Sequence, residues 1–220
     1  MRIENNIYQA RIKRMKRYKI ILIGESDVGK SSLVCRFQKG EIYKHATSTI
    51  GMAFSTERIC VNAEPVILEM WDSAGQERFR SIVPMYFKGA KAVVIVYDLS
   101  NPRSADLIKS YWKEQIESYF PKKLPIIALV GNKIDLISED NQTGLISQMS
   151  ELQELFNVKV MSYFTSAVTG ENVQHLFEDV ATKIHNENIS SLRNSTIYLR
   201  KDDPENTDSA LDVRSNCCSI

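Results

Sequence analysis

No cysteine pattern in the 220-residue chain suggests a disulfide framework or a zinc site. The four cysteines, Cys35, Cys60, Cys217 and Cys218, form no C-x-x-C, and two of them stand at the C-terminal end. Cys35 and Cys60 read as small fillers in or near the core of a protein kept in a reducing, cytosolic environment. Charge of one sign is equally lacking. The 28 Lys and Arg nearly balance the 27 Asp and Glu, so no global field points to nucleic acid. No apolar run approaches the roughly 20 residues that a membrane span requires. The polar, basic beginning has no apolar h-region, so no secretory signal is expected.

What is present divides the chain into three parts. Residues 1–17 form a basic arm, with Arg2, Arg11, Lys13, Arg14, Lys16 and Arg17 against Glu4 alone; it reads as a solvated charge run. Residues 18–187 alternate short apolar strands with amphipathic helices. Strands are expected at Tyr18–Ile23, Ala53–Val61, Val66–Asp72, Ala92–Asp98, Pro125–Gly131 and Val158–Phe164. Helices are expected at Ser31–Lys39, Arg103–Tyr119, Leu145–Phe156 and Asn172–His185. Asn62-Ala63-Glu64-Pro65 reads as a hairpin connection between two of the strands. The remaining strands are almost wholly apolar, as buried parallel strands are. The expected fold class is therefore α/β: a six-stranded, mostly parallel sheet with one antiparallel edge strand and helices on both faces. Residues 188–220 lose periodicity, are rich in Ser, Asn and Asp, and are expected to be a disordered tail.

The chemistry gathers where strands end, which is where such sheets bind ligands. Gly24-Glu25-Ser26-Asp27-Val28-Gly29-Lys30-Ser31 fits G-x-x-x-x-G-K-[ST] between a strand and a helix. Its glycines let the backbone turn so that successive N–H groups, among them those of Ser26, Asp27, Val28 and Gly29, face phosphate oxygens. The helix that follows adds its unpaired N–H groups and positive dipole end. Lys30 is placed to reach the β- and γ-phosphates, and the Ser31 hydroxyl to hold Mg²⁺. Asp72 would support the metal through water, and the Gly75 N–H could approach a γ-phosphate. In Asn132-Lys133-Ile134-Asp135, the Asp135 carboxylate can accept two N–H groups from one heterocycle edge, as guanine presents and adenine does not. Ser166-Ala167 offers a backbone N–H to the same base. An ATP-using P-loop enzyme conflicts with that base reader.

Taken together, these segments resemble the Ras superfamily of small GTPases and, within it, the Rab family. The resemblance covers roughly residues 18–187 and the terminal cysteines. Trp71-Asp72-Ser73-Ala74-Gly75-Gln76-Glu77-Arg78-Phe79 is very close to the Rab WDTAGQERF segment. Ser48-Thr49-Ile50-Gly51-Met52-Ala53-Phe54, Pro84-Met85-Tyr86-Phe87 and the Cys-Cys-x-x ending look most like the early-endosomal branch. The resemblance implies a GTP/GDP switch with Mg²⁺ bound through Ser31, Thr49 and Asp72. Thr49 reports the γ-phosphate, Gln76 orients the attacking water, and Phe54, Trp71 and Tyr86 face effectors.

It further implies an exchange factor, a GTPase-activating protein, a prenylation escort, a GDP-dissociation inhibitor and effectors as partners of a monomer. Trafficking would take place on the cytosolic face of endomembranes, with a cytosolic pool. Cys217 and Cys218 would both be geranylgeranylated; read instead as C-a-a-X, Cys217 alone would carry the lipid, as in a Ras-type signalling GTPase. Two chains are the physically sufficient anchor, because one binds marginally. The tail's Arg193, Arg200, Lys201 and Arg214 are outnumbered by Glu187, Asp202, Asp203, Glu205, Asp208 and Asp212.

Four positions depart from the family pattern. Asp27 stands where small residues are usual and is expected to face water. Were it to face the phosphates, a GTP-binding scaffold with little hydrolysis would become the alternative. Ile42, with Tyr43, replaces the aromatic ring expected against guanine, and Val168 replaces the lysine of Ser-Ala-Lys. Ile137–Ser150 is longer than expected and reads as a surface loop insertion.

Overall fold

The computed structural model describes residues 15–41, 49–138 and 142–199, without side chains at 77–80, 142–143 and 192–199. Ile42, Tyr43, Cys217, Cys218 and most of the basic arm and tail lie outside the described residues.

Six strands form one sheet: β1 (Lys16–Ile23), β2 (Met52–Val61), β3 (Glu64–Ser73), β4 (Ala92–Asp98), β5 (Ile126–Asn132) and β6 (Met161–Thr165). Their order is β2-β3-β1-β4-β5-β6. Only β2 and β3 run antiparallel; the β3–β1, β1–β4, β4–β5 and β5–β6 pairs are parallel. The helices are α1 (Lys30–Lys39), α2 (Pro102–Leu107), α3 (Lys113–Tyr119), α4 (Gln142–Glu154) and α5 (Val173–Leu199). A 3₁₀ segment occupies Glu77–Phe87.

Strand periodicity sorts the central residues onto two faces. Ile20, Leu22, Val94, Val96, Ala128 and Val130 point into one core with α1 and α5, where Phe37 stacks on Phe177 at 4.4 Å between ring centroids. Ile21, Ile23, Val93, Ile95 and Leu129 point into the other, with Trp112, Ile116 and Leu152. Both faces are covered, which is why these strands are apolar throughout.

Several boundaries depart from expectation for local reasons. The hairpin is tighter than the four residues expected, because β2 runs to Val61 and β3 starts at Glu64. Asn62 and Ala63 alone make the turn, at φ +51° and +64°, as a two-residue turn with matching twist requires. The helix expected over Arg103–Tyr119 is interrupted by a π turn, Ile108–Trp112. Ile108, Trp112 and Ile116, each four residues from the next, are all buried. Regular α-geometry would carry that row around the cylinder, and the wider turn keeps it on the sheet. The strand expected at Val158–Phe164 begins only at Met161, and Val158 is exposed. The helix expected from Leu145 to Phe156 runs from Gln142 to Glu154, so the second half of Ile137–Ser150, read as a loop insertion, is helical. Helix α5 passes residue 187, where periodicity ends, and continues to Leu199. Among its described side chains, to residue 191, the last buried ones are Ile184 and His185; beyond them propagation needs only one backbone bond per residue. Cys35 is half-buried and Cys60 exposed.

Ala63 carries a Cβ in the left-handed region, which costs an L-residue about 1–2 kcal/mol. Ala63→Gly removes that strain and restores about 0.5–1 kcal/mol of backbone entropy cost. The expected outcome is a urea midpoint raised by the equivalent of about 0.5–1 kcal/mol; a lowered midpoint would contradict the turn.

Candidate functional site

The carboxyl ends of β1, β3, β4, β5 and β6 carry the loops that make the site. After β1, residues 24–29 wrap the N-terminus of α1. Gly29 caps that helix at φ +97°, and a Cβ there would run into the Asn132 side-chain amide. Asp27 adopts φ +62° with its side chain exposed. Val28 is buried and Ser26 half-buried. Lys30 is 5% exposed, and its ammonium donates to the Gly24 and Glu25 carbonyls at 3.1 and 2.7 Å. The loop thus curls around its own cation, with the α1 N–H groups beneath it. Such a cradle suits phosphate oxygens.

Three oxygens converge beside it. Ser31 Oγ lies 2.8 Å from Thr49 Oγ1 and donates to Asp72 Oδ2 at 2.5 Å. Asp72 is buried at the end of β3, and burial raises its carboxyl pKa against the opposing pull of the Ser31 hydrogen bond and the Lys30 charge. Its Oδ1 is buried with no hydrogen-bond partner among the described residues. Two hydroxyls and an under-satisfied carboxylate are the donor set of a hard cation such as Mg²⁺, and burial without a cation leaves that carboxylate poorly compensated. The residues fit the metal.

The next turn closes the phosphate end. Gly75 packs so tightly that a Cβ would collide with the Glu25 and Ser26 backbone, and Gly51 O accepts from Ala74 N at 2.8 Å. Gln76 follows, half-buried, at the start of the 3₁₀ segment. Thr49–Gly51 and Asp72–Gln76 are therefore physically joined.

At the other end the structure redistributes the expected base readers. Asp135 is exposed and available. Asn132 is buried and holds the loops together: Nδ2 donates to Val28 O at 2.8 Å, while Oδ1 accepts from Thr165 Oγ1 and Ala167 N, both at 3.2 Å. The Ala167 N–H, expected to meet the base, donates here to Asn132 Oδ1. Ser166 is likewise internal, its Oγ accepting from the backbone N–H groups of Val168 and Thr169. Val168 is exposed, and Arg36 from α1 braces this loop through the Ala167 and Val168 carbonyls.

Asp98, at the end of β4, was not singled out from sequence. Lys133, at φ +68°, donates to Asp98 Oδ2 at 2.6 Å, and Ser100 donates to Oδ1 through N and Oγ at 2.8 and 2.6 Å. Burial pushes the Asp98 carboxyl up, but Lys133 and Ser100 outweigh it and hold the pKa below the usual range. Its available signal was a carboxylate closing an apolar strand.

Phe54, Trp71 and Tyr86 do meet: their centroids lie 4.9 Å (Phe54–Trp71) and 5.6 Å (Trp71–Tyr86) apart. Lys19 Nζ sits 4.3 Å from the Trp71 ring centroid. Ile50, Phe54 and Met85 stand exposed around them, a cluster of apolar surface next to the site.

A doubly wound sheet with a phosphate loop, a hard-cation set and a facing carboxylate defines a P-loop nucleotide-binding protein. A family model described as the Ras family matches residues 19–186. The chain belongs to the Ras family, and it is a small GTPase switch of the kind that binds GTP and GDP with Mg²⁺ and works with exchange factors, activating proteins and effectors.

Asp98 places the Lys133 ammonium, so Asp98→Asn removes a charge-assisted bond worth about 1.5–3 kcal/mol. The GDP dissociation rate, followed with a fluorescent analogue, is expected to rise about tenfold or more; an unchanged rate would remove Asp98 from the site.

Proposed function

We propose that the chain is a Rab-type GTPase, a switch for vesicle or endosomal membrane trafficking that hydrolyses GTP slowly and binds effectors in its GTP state. The observation that carries this reading is the ring cluster Phe54–Trp71–Tyr86. It is built on β2, β3 and the 3₁₀ segment, directly beside the two joined segments that would sense the γ-phosphate. In this reading the 24–29 backbone, Lys30 and Gly75 bind phosphates, and Asp135 accepts the guanine edge with Asn132 and Lys133 positioning it. Bound Mg²⁺, held by Ser31 and Thr49 with Asp72 through water, would neutralise phosphate charge. Gln76 orients water for in-line attack. With GTP, Thr49 and Gly75 close on the terminal phosphate and order both segments; hydrolysis releases them. The second reading, a GTP-binding scaffold with little hydrolysis, is kept by the Asp27 carboxylate, exposed on the phosphate loop; the intact Gln76 argues against it.

The membrane would be reached through Cys217 and Cys218, both prenylated with the help of an escort and extracted by a GDP-dissociation inhibitor. The protein would act as a monomer on the cytosolic face of endomembranes, endosomes first.

Single-turnover hydrolysis tests the enzyme half of the reading. Unassisted turnover is expected at roughly 10⁻⁴–10⁻³ s⁻¹, with Gln76→Leu slower by roughly tenfold while nucleotide affinity holds. Equal rates for the two proteins would count against Gln76. For the anchor, Cys217→Ser/Cys218→Ser should bind GDP normally yet leave the membrane fraction of cells; persistent attachment of that variant contradicts prenylation.

A further inference from the structure

At the edge of the sheet opposite the phosphate loop, a two-lobed groove opens where β4, β5 and β6 begin and α5 passes. Its lobes measure about 540 and 300 Å³ and share a floor of Phe120, Leu124, Pro125 and Ile126. The rim is cationic: Lys122, Lys123, Lys159 and Lys183 border the larger lobe and Lys91 the smaller, against Glu117 and Glu187. Glu117 is paired with Lys113, and Glu187 meets Lys123 at 3.5 Å. Lys122, Lys159 and Lys183, all exposed, have no ion pair among the described residues. A groove with an apolar floor and spare ammonium groups calls for an acidic segment with a few apolar side chains.

The chain carries one within reach. Asp202-Asp203-Pro204-Glu205-Asn206-Thr207-Asp208-Ser209-Ala210-Leu211-Asp212-Val213 holds five carboxylates, no cation, and the apolar Leu211 and Val213. Helix α5 supplies Glu187, Asn188 and Ser191 to the groove and ends at Leu199. Leu199 lies about 12 Å along the axis beyond Ser191, at ~1.5 Å per residue. About four extended residues, at ~3.3 Å each, return the chain to the groove. The tether holds the segment at an effective concentration in the mM range, where weak ion pairs suffice.

We infer that residues 202–213 fold back onto this groove, the carboxylates meeting Lys122, Lys159 and Lys183 and the apolar residues resting on the floor. Docking shortens the free tail and covers the lysines, so this face does not present its charge to an anionic lipid surface. The inference does not depend on the branch of the family or on the lipid anchor.

Zero-length carbodiimide coupling of the full-length chain, read by mass spectrometry, tests it. At low salt, amide cross-links are expected within one molecule between Lys122, Lys159 or Lys183 and acids of 202–212. Their yield should fall about tenfold at high salt, where surface charges are screened. The variant Lys122→Glu/Lys159→Glu/Lys183→Glu should lose them about tenfold while still binding GDP. Adding Asp202→Lys, Asp203→Lys, Glu205→Lys, Asp208→Lys and Asp212→Lys to it should restore them with the charges exchanged. Coupling of the tail acids to Lys13 or Lys16 instead, coupling only between molecules, or failure of the exchanged pair to restore it would overturn the proposal. So would absence of the cross-links accompanied by lysine-dependent binding to phosphatidylserine vesicles, which would make the groove a lipid site.

Discussion

The Asn132 side-chain amide ties together the three loops on which the nucleotide site depends. From the end of β5 it donates to the phosphate loop at Val28 and accepts from Thr165 and Ala167 at the end of β6. All of these groups are buried, so an unmade bond costs more than a made one contributes. The amide fits because position 29 is glycine; any Cβ there would occupy its place. The phosphate loop and base loop are thus tied to each other directly, and both hang on parallel strands packed between two apolar cores. This is how a site assembled from segments more than a hundred residues apart can be held in fixed register.

The second constraint is charge held in low dielectric. Lys30 and Asp72 are both nearly buried, and the Lys30 charge helps to hold the Asp72 carboxylate ionised against its burial. Lys30 leans on loop carbonyls and Asp72 on a hydroxyl, with one carboxylate oxygen left without a partner among the described residues. Groups so arranged gain most from a ligand that supplies negative oxygens to the lysine and a dication to the carboxylate. Away from the phosphates, Asp98 and Lys133 show the opposite solution, a short bond within the protein that fixes a cation in a left-handed backbone position. The chemistry of the family is thereby visible as a set of electrostatic debts and their partners.

Much of this was legible in the residues. Alternating apolar strands and helices implied the sheet and its antiparallel edge, because parallel strands covered on both faces leave a plain compositional mark. The phosphate loop and Asp72 are legible because spacing and side-chain type state their geometry, whereas Thr49 and the three rings are legible only through the resemblance to a known family. What stayed hidden depends on partners distant in sequence. Nothing local to Asn132 or Ala167 says that they bond to each other, so the tie that Asn132 makes between the loops was not legible. Asp98 was invisible because its partner is Lys133. The π turn at Ile108–Trp112 and the two-residue hairpin follow from packing and twist, which propensity does not report. The run of α5 past residue 187 was missed because residues 186–191, exposed or half-buried, leave no apolar stripe.

The central proposal is that Thr49–Gly51 and Asp72–Gln76, joined by the bond from Ala74 N to Gly51 O, sense the γ-phosphate as one unit. Amide hydrogen exchange with Mg²⁺, comparing the GDP complex with a non-hydrolysable GTP analogue, addresses it directly. Both segments should gain protection together in the triphosphate state, while β4 and β5 remain unchanged. Equal exchange in the two states, or protection of one segment without the other, would contradict the account.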